Sequence, residues 1–148
     1  MNVPSVLLWL FVINLGIVFG AGLYESRIVV PLWTSSPPAS LRSPESGRRF
    51  WAFTTTIPLT LLTLANIAAA WQSTAQREWR LVAAMVILVE RIATFGYFIP
   101  AMLRMQRAVG SKTDLLARLA IWERLNYVRL FLTFVAWLAA LKALTESA

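Results

Sequence analysis

The sequence predicts an all-α membrane protein, a four-transmembrane-helix bundle, and three observations lead to this prediction. The 148 residues are 58% hydrophobic and 14% charged, whereas soluble domains carry about 25% charged residues. Four apolar stretches are each long enough to cross a hydrocarbon core about 30 Å thick. Basic residues and prolines concentrate between these stretches. We therefore expect one membrane domain, residues 1–148, with spans at 3–30, 50–71, 79–103 and 115–144.

The first span carries small residues that favour helix packing. Gly16 and Gly20 form a Gly-x-x-x-Gly pair, and Gly22 adds a third small residue. Such residues let two helix backbones approach closely. Pro31 is expected to end this helix, because proline lacks a backbone N–H and its ring clashes with the preceding turn.

Polar residues near the end of the first span are the first candidates for a site. Glu25 shares a helix face with Asn14, whereas Arg27 points elsewhere. The connection 31–49 is longer than the usual connection of about 4–6 residues, so we expect a lid or an entrance loop. Trp33 at its start is expected either to anchor the chain at the membrane interface or to line that entrance.

The second span is rich in uncharged hydrogen-bonding groups, namely five threonines and Asn66. In a helix bundle such groups mostly bond to neighbouring backbone or to each other. Pro58 is expected to kink the helix because it removes one backbone donor. Arg49 and Trp51 mark the end of this span that faces the first connection.

The third span places a carboxylate and a guanidinium, Glu90 and Arg91, side by side in an apolar stretch. Each costs about 2.5–3.5 kcal/mol on insertion scales, so both are expected to have partners inside the bundle. Glu90 shares its face with Thr94 and Tyr97, while Arg91 diverges from it by about 100°. The two need not pair with each other, and each is free to find a partner on a different helix. Pro100 is expected to bend or end the span.

The fourth span carries a polar and aromatic stripe along one face. Trp122, Asn126, Arg129 and Thr133 recur at helical spacing, and Trp137 continues the line. Contact of this stripe with lipid would be costly. We therefore expect it to face the interior of the bundle.

Four spans bring the ends of spans 1 and 3 and the starts of spans 2 and 4 to one face of the membrane. The connections 31–49 and 104–114 lie at this face, together with most of the basic residues: Arg42, Arg48, Arg49, Arg104, Arg107, Lys112 and Arg118. The positive-inside rule places these loops in the cytoplasm and both termini outside. The expected location is the inner (cytoplasmic) membrane of a bacterium, with a polar cavity opening at the loop end.

Two absences limit the chemistry. The chain contains no cysteine and no histidine, which removes thiol redox chemistry and the usual ligands of zinc, copper and haem. A metal site is not predicted, because nearby arginines compete for Glu25, Glu90 and Glu123. The net charge of +7 is explained by contact with anionic lipid headgroups, so we exclude nucleic acid as a partner.

Three short motifs lie around the predicted polar cavity. They are Ala-Gly-Leu-Tyr-Glu-Ser-Arg at 21–27 followed by Pro31-Leu32-Trp33; Glu90-Arg91 with Tyr97-Phe98-Ile99-Pro100; and Trp122 with Leu125-Asn126-Tyr127-Val128-Arg129. Together these motifs resemble the anthrone oxygenase-like family of small four-span membrane proteins. The resemblance implies oxidation of polycyclic anthrones to anthraquinones by O₂, without a metal, a flavin or any other cofactor.

Under this hypothesis the polar residues divide into catalytic and substrate-binding groups. Glu90 acts as the general base, and Arg91 and Arg129 stabilise the resulting oxyanion. Asn126 orients that oxyanion, and Glu25 completes the catalytic set. The substrate-binding residues are expected to be Trp33, Trp51, Tyr97, Trp122, Arg27 and Arg49, because indole rings stack on flat aromatic molecules.

Two other functions stay open. In the first, the protein is not an enzyme, its buried charges are structural, and it binds a lipid, a quinone or a partner protein. In the second, it is a small transporter, although the intramembrane arginines would repel cations. Membrane lipids and a small hydrophobic ligand are the expected partners, and the oligomeric state, a homo-oligomer included, is left open.

Overall fold

The computed structural model describes residues 2–35, 41, 47–72, 77–107 and 111–146. Four helices within these ranges are long and apolar enough to cross a membrane: α1 (Val3–Ser35), α2 (Trp51–Ala70), α3 (Arg77–Arg107) and α4 (Lys112–Thr145). A single turn, Arg48–Phe50, leads into α2. Each helix packs against its neighbours in chain order, and α4 closes the ring on α1. The predicted four-helix bundle is confirmed.

The prediction that Pro31 ends the first helix is wrong, because α1 continues to Ser35. Likewise, α3 passes Pro100 and ends at Arg107. The physical reason is a π-helical turn two residues before each proline. The residue preceding the proline donates its N–H to the carbonyl five residues back: Val30 to Glu25, Ile57 to Ala52, and Ile99 to Thr94. This wider turn accommodates the ring where an α-helical turn would clash with it.

Pro58 also leaves a carbonyl that a neighbouring helix satisfies. Proline cannot donate to the carbonyl of Thr54 in the α-helical pattern. The side-chain amide of Asn14, on α1, donates to this oxygen at 3.3 Å. The polar side chain of Asn14 therefore joins α1 to α2 one turn before Pro58.

Four other polar side chains of α2 bond to backbone, as predicted for most such groups. Thr55, Thr60 and Thr63 each donate a hydroxyl to the carbonyl four residues earlier, at 2.6–2.7 Å. The amide of Asn66 donates to the carbonyl of Leu62 at 2.9 Å and to that of Leu7 at 3.2 Å. These side chains stabilise the bundle, and none of them lines the larger of the two cavities described below.

The interior consists of two apolar clusters with a polar layer between them. The cluster at the end of the termini contains Leu8, Phe11, Leu15, Leu59, Ile87 and a row of alanines on α4. The cluster at the loop end contains Val30, Trp33, Leu41, Phe98, Met105, Leu115, Leu119 and Trp122. Between these two groups lie the buried polar residues Glu25 and Ser26 on α1, Glu90, Arg91 and Thr94 on α3, and Asn126 on α4. The stripe on α4 faces inward as predicted, with Trp122, Asn126 and Thr133 buried.

Of the three glycines predicted to favour close helix packing, Gly16 and Gly22 contact α4 closely and Gly20 does not. A Cβ added to Gly20 would have no atom within 4 Å, whereas one on Gly16 would lie 3.2 Å from the Trp137 ring. The tightest position is Gly22, where a Cβ would lie 2.8 Å from the Cδ1 atom of Leu130 on α4. The contact between α1 and α4 therefore depends on Gly22 rather than on Gly20.

We expect Gly22→Ala to destabilise the protein relative to Gly20→Ala by about 1–3 kcal/mol, because buried Leu130 must move to admit the methyl group. Both substitutions bring the same gain in helix propensity, so their difference isolates the packing term. Thermal unfolding in detergent micelles, followed by circular dichroism, measures it. Equal stability of the two variants would contradict the close contact.

Most of the first connection, residues 36–40 and 42–46, lies outside the described residues, and Arg42 lies within it. Its role as a lid or entrance loop stays a prediction. Its first residues, up to Ser35, extend α1 as a helix. The second connection is shorter than predicted, because α3 ends at Arg107 and α4 begins at Lys112.

Candidate functional site

The polar layer is built around a direct ion pair between Glu90 and Arg91. The guanidinium Nε lies 2.5 Å from Oε2 and Nη2 lies 2.7 Å from Oε1, so the two groups form a two-pronged pair. Both side chains are buried. The sequence argument left each free to find a partner on another helix. The long arginine side chain instead folds back onto the preceding carboxylate, which places the two opposite charges in direct contact inside the apolar bundle.

Two further donors lie close to the Glu90 carboxylate. The hydroxyl of Thr94, one turn later, donates to Oε1 at 2.9 Å. The Nε of Arg129, on α4, lies 3.7 Å from the same oxygen. With Arg91 on both oxygens, the carboxylate of Glu90 is fully engaged by protein groups.

Arg129 lies between two carboxylates. Its Nη2 lies 3.9 Å from Oε2 of Glu25, and its Nε faces Glu90. Its guanidinium carbon lies 4.8 Å from the centre of the Phe98 ring, within range of a cation–π interaction. Glu25, Glu90, Arg91 and Arg129 therefore form one network of two negative and two positive groups, contributed by three helices.

Helix α1 contributes two adjacent buried polar residues, Glu25 and Ser26, because both lie in its π-helical turn. The amide of Asn126 donates to the Ser26 hydroxyl at 2.9 Å. Asn126 thus holds helix α1 beside α4. Sequence reasoning missed Ser26, because the proline five residues later predicted the end of the helix and not a buried π-helical turn.

A cavity of about 280 Å³ lies at the loop end of the bundle, directly above the polar layer. All four helices line it: Glu25, Trp33, Trp51, Ala52, Thr56, Thr94, Phe98, Ile99, Met102, Leu103, Gln106, Trp122 and Arg129. The three π-helical turns all contribute to this wall. Such turns are frequent at functional sites because they displace side chains from regular helical positions.

Aromatic rings form one side of the cavity as a connected group. The ring centres of Trp33 and Trp122 are 5.8 Å apart, and Phe98 contacts Trp122 edge-on at 5.8 Å. The indole N–H of Trp122 donates to the carbonyl of Phe98 at 3.4 Å. These contacts fix the orientation of the Trp122 ring against the cavity.

Among the described residues that line this cavity, Glu25 and Arg129 are the charged ones. Glu90 and Arg91 lie behind them and line a second, smaller cavity of about 20 Å³, together with Asn126, Thr133 and others. That volume is close to the space needed for one water molecule. The larger cavity therefore has an aromatic wall and a single carboxylate–guanidinium pair.

The structure separates the predicted site residues into three groups. The larger cavity is lined by Glu25, Arg129, Trp33, Trp51 and Trp122. The network behind it contains Glu90, Arg91 and Asn126. Arg27 and Arg49 are exposed and line neither cavity, and Tyr97 packs edge-on against Phe98 at 5.3 Å without lining either. Sequence reasoning missed Thr56, Thr94, Phe98, Met102 and Gln106 as lining residues.

Comparison of the chain with protein-family models gave no match, and comparisons with curated proteins and with solved structures gave none either.

Proposed function

We propose that this protein is a membrane-embedded oxygenase that oxidises a flat, weakly acidic aromatic molecule, such as an anthrone or a phenol, with O₂ and without a cofactor. One observation carries the proposal: Glu25 and Arg129 lie together on the wall of a cavity whose other described lining residues are uncharged and mostly aromatic or apolar. A base next to a cation, away from water, suits removal of a proton to give a stabilised oxyanion.

The shape and lining of the cavity support a compact aromatic ligand. Its volume of about 280 Å³ is near the lower end of the range of small-molecule sites, about 300–1,000 Å³. Trp33, Phe98 and Trp122 present ring faces and edges, which favour an offset or edge-on arrangement with a bound ring. A fused ring system would fill this space and expel water from the charged pair.

The reaction follows from these groups. Glu25 removes a proton from the activated CH₂ group of an anthrone, and Arg129 stabilises the negative charge that moves to the ring oxygen. The resulting carbanionic carbon combines with O₂ and recovers a proton, which gives a hydroperoxide. Loss of water from the hydroperoxide leaves a carbonyl, so one O₂ yields one quinone and one water molecule.

In this proposal the role of base, predicted for Glu90, belongs to Glu25. Both oxygens of Glu90 accept hydrogen bonds from Arg91, and Thr94 adds another. Glu25 lines the cavity and has one longer contact, at 3.9 Å, with Arg129. Glu90 and Arg91 instead position Arg129 from behind, and Asn126 positions the π-helical turn that carries Glu25.

A second candidate is supported by the closed charge network. Because Glu90 and Arg91 pair with each other, these charges also suit a bundle that binds a quinone or a lipid without chemistry. The cavity would then serve as a binding site only. The two proposals differ in whether bound anthrone is consumed.

Membrane orientation belongs to the same proposal. Arg49, Arg104, Arg107, Lys112 and Arg118 are exposed at the loop end, whereas the other end presents Arg77 and Lys142. The excess of basic residues supports a cytoplasmic location for the loops. The cavity would then lie in the cytoplasmic half of the membrane.

Oxidation of anthrone by the purified protein in phospholipid vesicles tests the proposal. We expect anthraquinone to form faster than in empty vesicles, with equal amounts of O₂ consumed and quinone formed. Absorbance spectra and an oxygen electrode measure the two quantities, and heat-denatured protein is the control. Saturable binding of anthrone, seen as quenching of tryptophan fluorescence, without faster oxidation would favour the binding protein instead.

A further inference from the structure

The residues that line the cavity change in character from its interior to its mouth. Glu25, Trp33, Phe98 and Trp122 are buried, whereas Ile99 and Leu103 are 38% and 37% exposed. The exposed lining residues are therefore apolar and belong to α3.

Helix α2 forms the opposite side of the mouth. Its lining residues Trp51, Ala52 and Thr56 are half-buried. Helices α1 and α4 contribute only Glu25, Trp33, Trp122 and Arg129, of which Arg129 is the most exposed, at 18% for its side chain. The mouth therefore lies between α2 and α3.

The prolines explain why these two helices separate here. Within the described residues, α2 and α3 pack mainly through Ile57–Ala70 against Arg77–Ala93. Beyond these segments come the π-helical turns before Pro58 and Pro100, and such turns commonly change the direction of a helix. The gap between α2 and α3 thus begins at the two π-helical turns.

The rise of an α-helix per residue indicates where the mouth lies across the thickness of the membrane. Ala52 and Ile99 each lie about 20 residues from a tryptophan at the far end of its helix, Trp71 and Trp79 respectively. At 1.5 Å per residue this separation is about 30 Å, close to the thickness of the hydrocarbon core. Tryptophans mark membrane interfaces, so the mouth lies at the opposite edge of the hydrocarbon core.

We infer that the cavity opens sideways into the bilayer, between α2 and α3, just below the lipid headgroups. Resting on the proposed function, we further infer that its natural ligand is a lipid-soluble molecule with an aromatic head and an apolar substituent. The head occupies the aromatic cavity next to Glu25 and Arg129. The substituent extends past Ile99 and Leu103 into the acyl chains, since a cavity of about 280 Å³ has room for the ring system alone.

A labelling experiment tests the sideways opening without any ligand. The chain has no cysteine, so a single Thr56→Cys variant can carry one bimane fluorophore at the cavity wall. We expect phospholipids brominated on their acyl chains to quench this label about half as strongly as a label on Leu61→Cys, which is 61% exposed on the same helix.

A bimane label on Lys112→Cys, which is exposed at the start of α4, is the control for a position outside the hydrocarbon core. Adding Ala52→Phe at the mouth should reduce quenching of the Thr56→Cys label and leave that of the Leu61→Cys label unchanged. Quenching of the Thr56→Cys label no stronger than at Lys112→Cys would overturn the sideways opening, whether or not the protein binds an aromatic ligand.

Kinetics with anthrone dissolved in the vesicle membrane test the route of the ligand. Narrowing the entrance with Ala52→Phe should lower both the association and the dissociation rate constants of anthrone, the association rate constant by about tenfold. Leu61→Phe, on the lipid-facing side of α2, is the control and should change neither constant. Unchanged rates in Ala52→Phe, or a changed Kd with an unchanged association rate, would show that the ligand does not pass between α2 and α3.

Failure of the two proposals can be told apart. Absence of anthrone oxidation by a protein that binds anthrone with these kinetics counts against the oxygenase and supports the entrance. Strong quenching of the Thr56→Cys label with no anthrone binding supports the opening and overturns the aromatic head as its ligand. Displacement of anthrone by excess phospholipid with normal acyl chains would also contradict the proposal that the ligand has an aromatic head. The cavity would then hold a lipid chain.

Discussion

Glu25→Gln is expected to lower the rate of anthrone oxidation by about 10²–10⁴-fold, the usual contribution of a general base. The amide keeps the size of the side chain but cannot accept the proton. Anthrone should still bind with a similar Kd, because the aromatic wall is unchanged. Stopped-flow measurement of anthraquinone formation, together with tryptophan quenching by anthrone, separates the two quantities.

The matched control is Glu123→Gln, on α4, where the native carboxylate is half-buried and lines neither cavity. Its rate should equal that of the native protein. The fold of the Glu25→Gln variant should persist, because Arg129 keeps Glu90 as a neighbour at 3.7 Å. Unchanged oxidation in Glu25→Gln would show that another group removes the proton.

Arg91→Leu is expected to cause the largest loss of stability, about 3–5 kcal/mol in the free energy of unfolding. The substitution removes both hydrogen bonds that Arg91 donates to Glu90 and leaves a carboxylate with 1% side-chain exposure without its main partner. Reversible unfolding in mixed micelles with increasing dodecyl sulfate measures the change. Arg104→Leu, an exposed position on the same helix, should change stability little.

The double variant Glu90→Gln with Arg91→Leu distinguishes the loss of a pair from the loss of an arginine. Removing both charges leaves no unpaired ion, so this variant should recover much of the stability lost in Arg91→Leu. If the double variant is as unstable as the single one, then Arg91 acts through packing or through another partner. The comparison of the single and the double variant therefore shows whether the ion pair between Glu90 and Arg91 stabilises the fold.

The fold class followed from features that are local in the sequence. The length and composition of each apolar stretch determine whether it can cross a membrane, because every backbone polar group in hydrocarbon must be satisfied within the helix. The inward direction of the α4 stripe followed from its spacing, since Asn126 and Thr133 would be costly in lipid. Four spans also fixed which helix ends meet, and hence which polar residues lie near one another.

The prolines show where local reasoning failed. Pro31 ends a regular α-helix on steric grounds, yet α1 continues because a π-helical turn precedes the proline. Whether a helix stops or widens depends on what surrounds it. The buried side of α1 at Glu25 and Ser26, with Ser26 bonded to Asn126 on α4, is a feature of the packed bundle and is not encoded by any neighbouring residue alone.

The chain by itself determined that four helices cross the membrane and that Glu25, Glu90, Arg91, Asn126 and Arg129 lie in one region of the bundle, because burial of charge in lipid is too costly to allow otherwise. Only the tertiary structure decided how these groups are divided. Arg91 pairs with Glu90, and this leaves Glu25 and Arg129 at the aromatic cavity. The division depends on distances of a few ångströms between side chains from different helices, which a one-dimensional spacing pattern does not contain.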